Sequence, residues 1–118
     1  MEVSYMGQSI DMEQAANLLK LLGDKTRLTM LRILLEQDCC VCEFVEIFEA
    51  SQPAISQHLR KLRDAGLVKE NRRGQWMIYS LNQQYEYFDY VHLLLKELPS
   101  QADKLEELEK LGKRISCD

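Results

Sequence analysis

The chain has 118 residues, 46% of them hydrophobic, with a net charge of −4, which suits one globular domain with a real core. No apolar run approaches the roughly 18 residues of a membrane span. Residues 1–11 are polar and acidic, with neither a basic start nor an apolar centre, so they predict a short tail rather than a secretion signal, and a cytoplasmic protein. The acidic total argues against nucleic acid, but its distribution argues for it. Ser51 to Asn82 holds six of the 15 Lys/Arg and only two of the 19 Asp/Glu. A basic patch on an acidic body is the footprint of a nucleic-acid binder, and the acidic remainder discourages non-specific phosphate contact.

In chain order, a first helix is predicted from about Ser9 to Leu22, with Ala15, Leu18, Leu19 and Leu22 on its apolar face and Gly23 at its end. Asp24 is a good N-cap for a second helix running to about Glu36, with Leu28, Leu31, Ile33, Leu34 and Leu35 turned inward. Gln37 to Cys40 reads as a connection. A short third helix, about Val41 to Phe48, buries Phe44, Val45 and Phe48, and Glu49-Ala50 make a tight turn. The fourth helix has the clearest punctuation: Ser51 as N-cap, Pro53 in the first turn, Gly66 as the stop, and a stripe of Ile55, Leu59 and Leu62. Its opposite face carries Gln52, Ser56, Gln57, Arg60 and Arg63, short polar or cationic groups suited to base edges and phosphates. An ordinary solvated face reads the same way.

The flanking elements favour the groove. Two short helices joined by a tight turn make a helix-turn-helix, with the second as reader. Strand-like runs at Val68–Asn71 and Gln75–Leu81 flank Gly74 and form a hairpin wing whose tip carries Arg72 and Arg73, suited to phosphate or minor-groove contact. Tyr87, Val91, Leu94, Leu95 and Leu98 mark a fifth helix stopped by Pro99; Ala102, Leu105, Leu108, Leu111 and Ile115 mark a sixth. These stripes either close the monomer core or meet a partner subunit through the first and fifth helices. The expected organisation is a tail over 1–8, a winged domain with dimerisation helices over 9–98, and a C-terminal helix and tail over 99–118. The fold class is mostly α with a β-hairpin wing.

Cys39, Cys40 and Cys42 lie within four residues, too close for a disulfide framework; clustered thiols in a reducing compartment suggest metal or redox chemistry. Buried, inert packing is the alternative for any one of them. Two residues apart on a helix, Cys40 and Cys42 point away from each other, whereas Cys39 and Cys42 share a face, so a centre using all three must bend or unwind the first turn of the third helix. No nucleophile–base pair or phosphate loop argues for an enzyme.

The order of elements, with Leu22-Gly-Asp-Lys-Thr-Arg-Leu28, Cys40-Val-Cys42-Glu, Ser51-Gln-Pro-Ala-Ile-Ser-Gln-His-Leu59, Ala65-Gly-Leu-Val68 and Arg73-Gly-Gln-Trp, resembles the ArsR/SmtB family of winged-helix, metal-responsive repressors over roughly residues 13 to 98. The resemblance implies a homodimer whose two reading helices enter successive major grooves of a palindromic operator, with Gln52, Ser56 and Gln57 near the bases and His58 either touching DNA or only packing. It also implies an inducer site at the Cys-Val-Cys box, Cys40 and Cys42. The family's other site, on the dimer helix, has only Asp89 and His92 as a trace, at the wrong spacing. The usual third thiol after the box is replaced by Val45, leaving Cys39 or Cys117 as the third ligand.

Thiolates without nearby histidine favour soft ions. Three sulfurs and no fourth ligand suit pyramidal As(III) or Sb(III) first, with Cd(II), Pb(II) or Zn(II) possible, although zinc usually takes four ligands. Two other readings stand beside a metalloid-released repressor: a thiol redox or persulfide switch on the same fold, and a thiol metal carrier that binds no DNA.

Overall fold

The computed structural model describes residues 9–112. Among these residues the elements run α1 (Met12–Leu22), α2 (Lys25–Glu36), β1 (Cys39–Cys40), α3 (Val41–Phe48), α4 (Gln52–Asp64), β2 (Val68–Arg73), β3 (Trp76–Leu81), α5 (Phe88–Glu97) and α6 (Ala102–Lys110). The expected class holds: a helical body with a β-hairpin wing. Helix α1 starts three residues later than the apolar stripe suggests. Asp11 caps it, accepting from the Gln14 backbone N–H at 2.8 Å. Asp24 caps α2 as expected, accepting from Arg27 N–H at 3.0 Å. Ser51 caps α4, accepting from Ala54 N–H at 3.3 Å, and Gly66 takes φ +89, the left-handed turn that lets the chain leave α4 for the wing.

The sheet holds one strand more than expected. Order is β1-β3-β2, all antiparallel, so the supposed connection at Cys39–Cys40 is a two-residue strand, Cys39 opposite Tyr79 and Cys40 opposite Ile78. The wing is also longer. Arg73 pairs with Trp76, which places Arg72 and Arg73 in the strand and leaves Gly74-Gln75 as a two-residue turn with φ +61 at Gly74.

The core joins Leu18 and Leu22 of α1, Met30, Leu31, Ile33 and Leu34 of α2, Phe44, the α4 stripe Ile55, Leu59 and Leu62, and Val91 and Leu95 of α5. Val45 and Phe48 are only half-buried; the second fully buried side chain of α3 is a carboxylate, Glu43. Helix α6 closes the monomer by packing Leu105 and Leu108 down, next to α3. Ile115 lies outside the described residues. Exposed apolar side chains lie on α1 (Met12, Leu19) and α5 (Leu93, Leu94), so Leu19 and Leu94 do not close the monomer core, and Leu111 of the sixth stripe is exposed as well. A hydrogen bond from Tyr87 Oη to Gln14 Oε1 ties α1 to the start of α5. Among the described residues no helix is long and apolar enough to cross a membrane.

Candidate functional site

The cysteines occupy a junction. Cys40 ends β1 and is the N-cap of α3, with extended backbone at φ −95, ψ 167. Its N–H donates to the buried Glu43 carboxylate at 2.9 Å, the reciprocal half of a capping box. Because an N-cap residue is extended rather than helical, its side chain folds over the first turn. The helical projection that sets Cys40 and Cys42 apart therefore does not apply, and their sulfurs lie 2.7 Å from each other as free thiols. Cys39 and Cys42 do not share a face. Alternation along β1 turns Cys39 the other way, into the hydrophobic core, with its thiol 3.7 Å from the Gln37 carbonyl. The cluster is also not an exposed helix start: Cys39 and Cys40 are buried and only Cys42 is open to solvent. Among the described residues no three His, Cys, Asp or Glu side chains converge as a metal site; Cys117 lies outside them.

Burial is the largest influence on the Cys40 thiol and pushes its pKa far above the ordinary value. The hydrogen bond with Cys42 and the negative charge of Glu43 add to this, against the lowering effect of the Glu43 backbone N–H. A helix N-terminus ordinarily lowers a thiol pKa, but at Cys40 desolvation outweighs it.

The pair opens into a cleft of about 380 Å³. Cys40, Val41, Cys42 and Val45 form one side, Gln52 at the start of α4 another, and Gln75, Trp76 and Met77 at the wing's turn and β3 the third. The thiols thus touch the space between the reading helix and the wing, and β1 hydrogen-bonds Cys40's strand to β3 itself. Sequence reasoning missed Trp76, Met77 and Glu43 here. Only Glu43 left a signal, a Glu three residues after the cap position.

On the outer face, Gln52, Gln57 and Arg60 of α4 and Arg72 and Arg73 of the wing are exposed, while Ser56 and His58 are half-buried. His58 faces α2: its Nδ1 lies 3.3 Å from Arg27 Nη1, and Arg27 Nε donates to the Leu21 carbonyl at 2.7 Å. Guanidinium groups only donate, so this contact makes Nδ1 the acceptor. Arg63, expected on the groove face, is engaged with Asp64 and, at 3.0 Å, with Glu70 of β2. The other Glu70 oxygen accepts from Tyr79 Oη at 2.9 Å, so one carboxylate bridges α4 to both wing strands. His92 stacks on Phe88, centroids 5.3 Å apart.

A profile described as bacterial regulatory protein, arsR family, matches residues 24–70. The arsenic resistance transcriptional regulator ArsR1 of Pseudomonas putida is 48% identical over 64 residues, 53% of this chain and 50% of that protein, so the match spans only half of that relative. The arsenical resistance operon repressor of Staphylococcus xylosus is 35% identical over 80 residues, 68% of this chain and 75% of that one. Among solved structures, HlyU from Vibrio cholerae N16961 superposes with a TM-score of 0.61 at 36% identity, over 70% of this chain and 88% of that one.

Proposed function

The chain belongs to the arsR family of bacterial regulatory proteins, and on that footing we propose that it is a DNA-binding transcriptional repressor, not an enzyme, released from its operator when a soft ion is captured by Cys40 and Cys42. Gln52, Ser56 and Gln57 face the bases of a palindromic site, and Arg60, Arg72 and Arg73 meet its phosphates. His58 serves from behind, holding α4 against α2 through Arg27. A homodimer fits the exposed Leu19 and Leu93, which are 63% and 61% exposed on helices tied together by the Tyr87–Gln14 bond.

The observation that carries the reading is the 2.7 Å approach of the two sulfurs inside a cleft walled by Gln52 and Trp76. An atom bonded to each sulfur at about 2.3 Å holds them roughly 3.5 Å apart, close to the ordinary contact distance of two sulfurs, so neighbouring thiols grip it with little rearrangement. No unwinding of α3 is required, contrary to the three-sulfur expectation. The captured ion instead adds bulk to the cleft beside Gln52 and the wing, and so changes the spacing of the two elements that hold DNA. Turning a site from mostly bound to mostly free takes about 5.5 kcal/mol of differential affinity; thiolate coordination in zinc-finger peptides supplies about 10–16 kcal/mol. The test is release from a DNA fragment upstream of the protein's own gene, titrated with arsenite, antimonite, Cd(II), Pb(II) and Zn(II). Cys40→Ser and Cys42→Ser each abolish release; unchanged release in both refutes the assignment.

The same proximity favours a second reading, oxidation of the two thiols to a disulfide or persulfide-bridged form. Mass spectrometry after peroxide or polysulfide, set beside DNA release by each, separates it from ion capture.

A further inference from the structure

We propose that His58 makes DNA binding proton-sensitive: neutral, it seats the reading helix α4 on the Arg27 guanidinium, and protonated it drives α4 off that support and lowers affinity for the operator. The inference rests on the reading of α4 as the groove helix and adds a control on it that does not pass through the thiols. Arg27 works as a fixed strut. Its Nε donates to the Leu21 carbonyl, in the last turn of α1, at 2.7 Å, and its backbone N–H donates to the Asp24 carboxylate at 3.0 Å. A planar guanidinium pinned at Nε has little freedom left at Nη1. That Nη1 lies 3.3 Å from His58 Nδ1. Arginine keeps its proton, so the contact stands only while Nδ1 offers a lone pair, in the neutral ring with its proton on Nε2. A second proton turns the acceptor into a donor and sets two cations face to face. The strut is tied to α1 and cannot retreat, so the ring gives way, and α4 with it. His58 directly follows Ser56 and Gln57, the residues assigned to the bases, so a shift of its backbone is a shift of theirs.

Two charges at the start of α2 bear on the exchange. Arg27 repels a charged imidazole. Asp24 draws it: that carboxyl is held low first by the Arg27 backbone N–H and in part by the charge of His58. A protonated ring therefore has an anion to turn towards once it leaves Arg27. On its own helix, Lys61 stands one turn further on. From α3 and β2, which also pack on α4, the charged groups are engaged elsewhere. Glu43 bonds the Cys40 N–H, Glu46 and Glu49 line the groove towards α6, Glu70 holds Arg63 and Tyr79, and Lys69 lines the cleft at the end of α2. The DNA-bound form needs the neutral ring, so binding releases a proton. Affinity is therefore complete at higher pH and is lost as pH falls through the range in which histidine takes up its charge.

Affinity of the full chain, reduced and without inducer, is measured by fluorescence anisotropy on the DNA fragment upstream of its own gene, from about pH 8 to about pH 5.5 at constant ionic strength. His58→Asn is the decisive variant: its carboxamide oxygen hangs on the same carbon as Nδ1, accepts from Arg27 and takes up no proton. Over this range the parent is expected to lose about tenfold in affinity relative to His58→Asn, the factor that one hydrogen bond to a charged group is worth. His58→Ala is expected to bind weakly at every pH, and His58→Asn to recover most of the parent's affinity at the alkaline end. Arg27→Lys keeps the charge but cannot serve Leu21 and His58 together, so it is expected to weaken binding at the alkaline end and to flatten the profile. Circular dichroism in the same buffers is expected to show unchanged helix content, which separates displacement of α4 from unfolding. Nitrogen NMR of the parent needs no substitution: His58 is expected as the Nε2–H tautomer at the alkaline end, with His92, the other histidine of the chain, as reference. Parallel profiles for parent and His58→Asn, a parent that gains affinity over His58→Asn on acidification, helix loss in step with affinity loss, or an Nδ1–H tautomer each overturns the inference and leaves the groove helix standing. No binding to the fragment at any pH brings down the DNA reading, and this inference with it.

Discussion

Replacing Glu70 by alanine tests whether the reading helix and the wing form one rigid body. Glu70 accepts from Tyr79 Oη at 2.9 Å with one oxygen and from Arg63 at 3.0 Å with the other. The Arg63 contact is open to solvent and screened, and little is expected of it. Tyr79 is different: it is only 8% exposed, and losing a charged acceptor leaves its hydroxyl short of a partner. A hydrogen bond to a charged group contributes about 1.5 kcal/mol at the low end of its range. Glu70→Ala should therefore cost about 1.5 kcal/mol, lowering Tm by roughly 5 °C for a domain of this size. Tyr79→Phe should cost about the same, and the double variant little more than either. Urea unfolding of the four proteins closes the cycle, with an expected coupling of about 1 kcal/mol. The pH dependence gives a second reading of the same bond. Burial first, then the hydrogen bond and charge of Glu70, push the Tyr79 phenol from its ordinary 10.0 up to about 12. That contribution is complete below pH 10 and is lost as pH rises towards 12, because the folded state holds the proton more tightly. In Glu70→Ala the window narrows, since burial remains and is opposed by the positive charges of Arg63 and Arg60. Single losses that simply add, or an alkaline profile identical to the parent's, refute the bridge.

The same geometry sets three other outcomes. Cys39→Ser should leave inducer release intact while costing about 1–3 kcal/mol of stability, the scale of a hydroxyl placed among apolar neighbours; thermal melts and DNA titration on one preparation check both. Asp24→Ala removes the cap of α2 and should cost about 1 kcal/mol. The Arg27 backbone N–H holds the Asp24 carboxyl below its ordinary 3.8, so this contribution is present above that pH and lost as pH falls through the lowered value; acid titration of stability should show a shallower loss in the variant. Leu93→Glu, on the exposed apolar face of α5, should turn the proposed dimer into a monomer in sedimentation without lowering helix content; a mass unchanged from the parent's counts against α5 as the seam.

Much of the fold is legible in the sequence because its signals are local. Asp24, Ser51, Pro53 and Gly66 punctuate helices by backbone chemistry, and Ile55, Leu59 and Leu62 mark one buried stripe wherever the helix ends up. The misreadings are equally physical. A two-residue strand such as β1 has no alternation to read; only its pairing with Tyr79 and Ile78 defines it. Helical angles set Cys40 and Cys42 apart, but a cap residue is extended and brings them together. Glu43 is a carboxylate and so a poor candidate for burial; its bond to the Cys40 N–H is what makes an interior place tolerable. Trp76 and Met77 are legible as strand residues, but their place beside thiols more than thirty positions earlier depends on sheet order, which pattern does not encode.

Helix α3 is eight residues long, and α6, more than fifty positions later, packs next to it. Isolated helices shorter than about 12–15 residues are marginal in water, so the thiol-bearing turn owes its order to packing on α4, on β1 and β3, and on α6. Of these supports only α6 lies beyond Leu98, so trimming the chain there should loosen the thiol-bearing turn while leaving the contacts of α4 with α2, α3 and β2 in place.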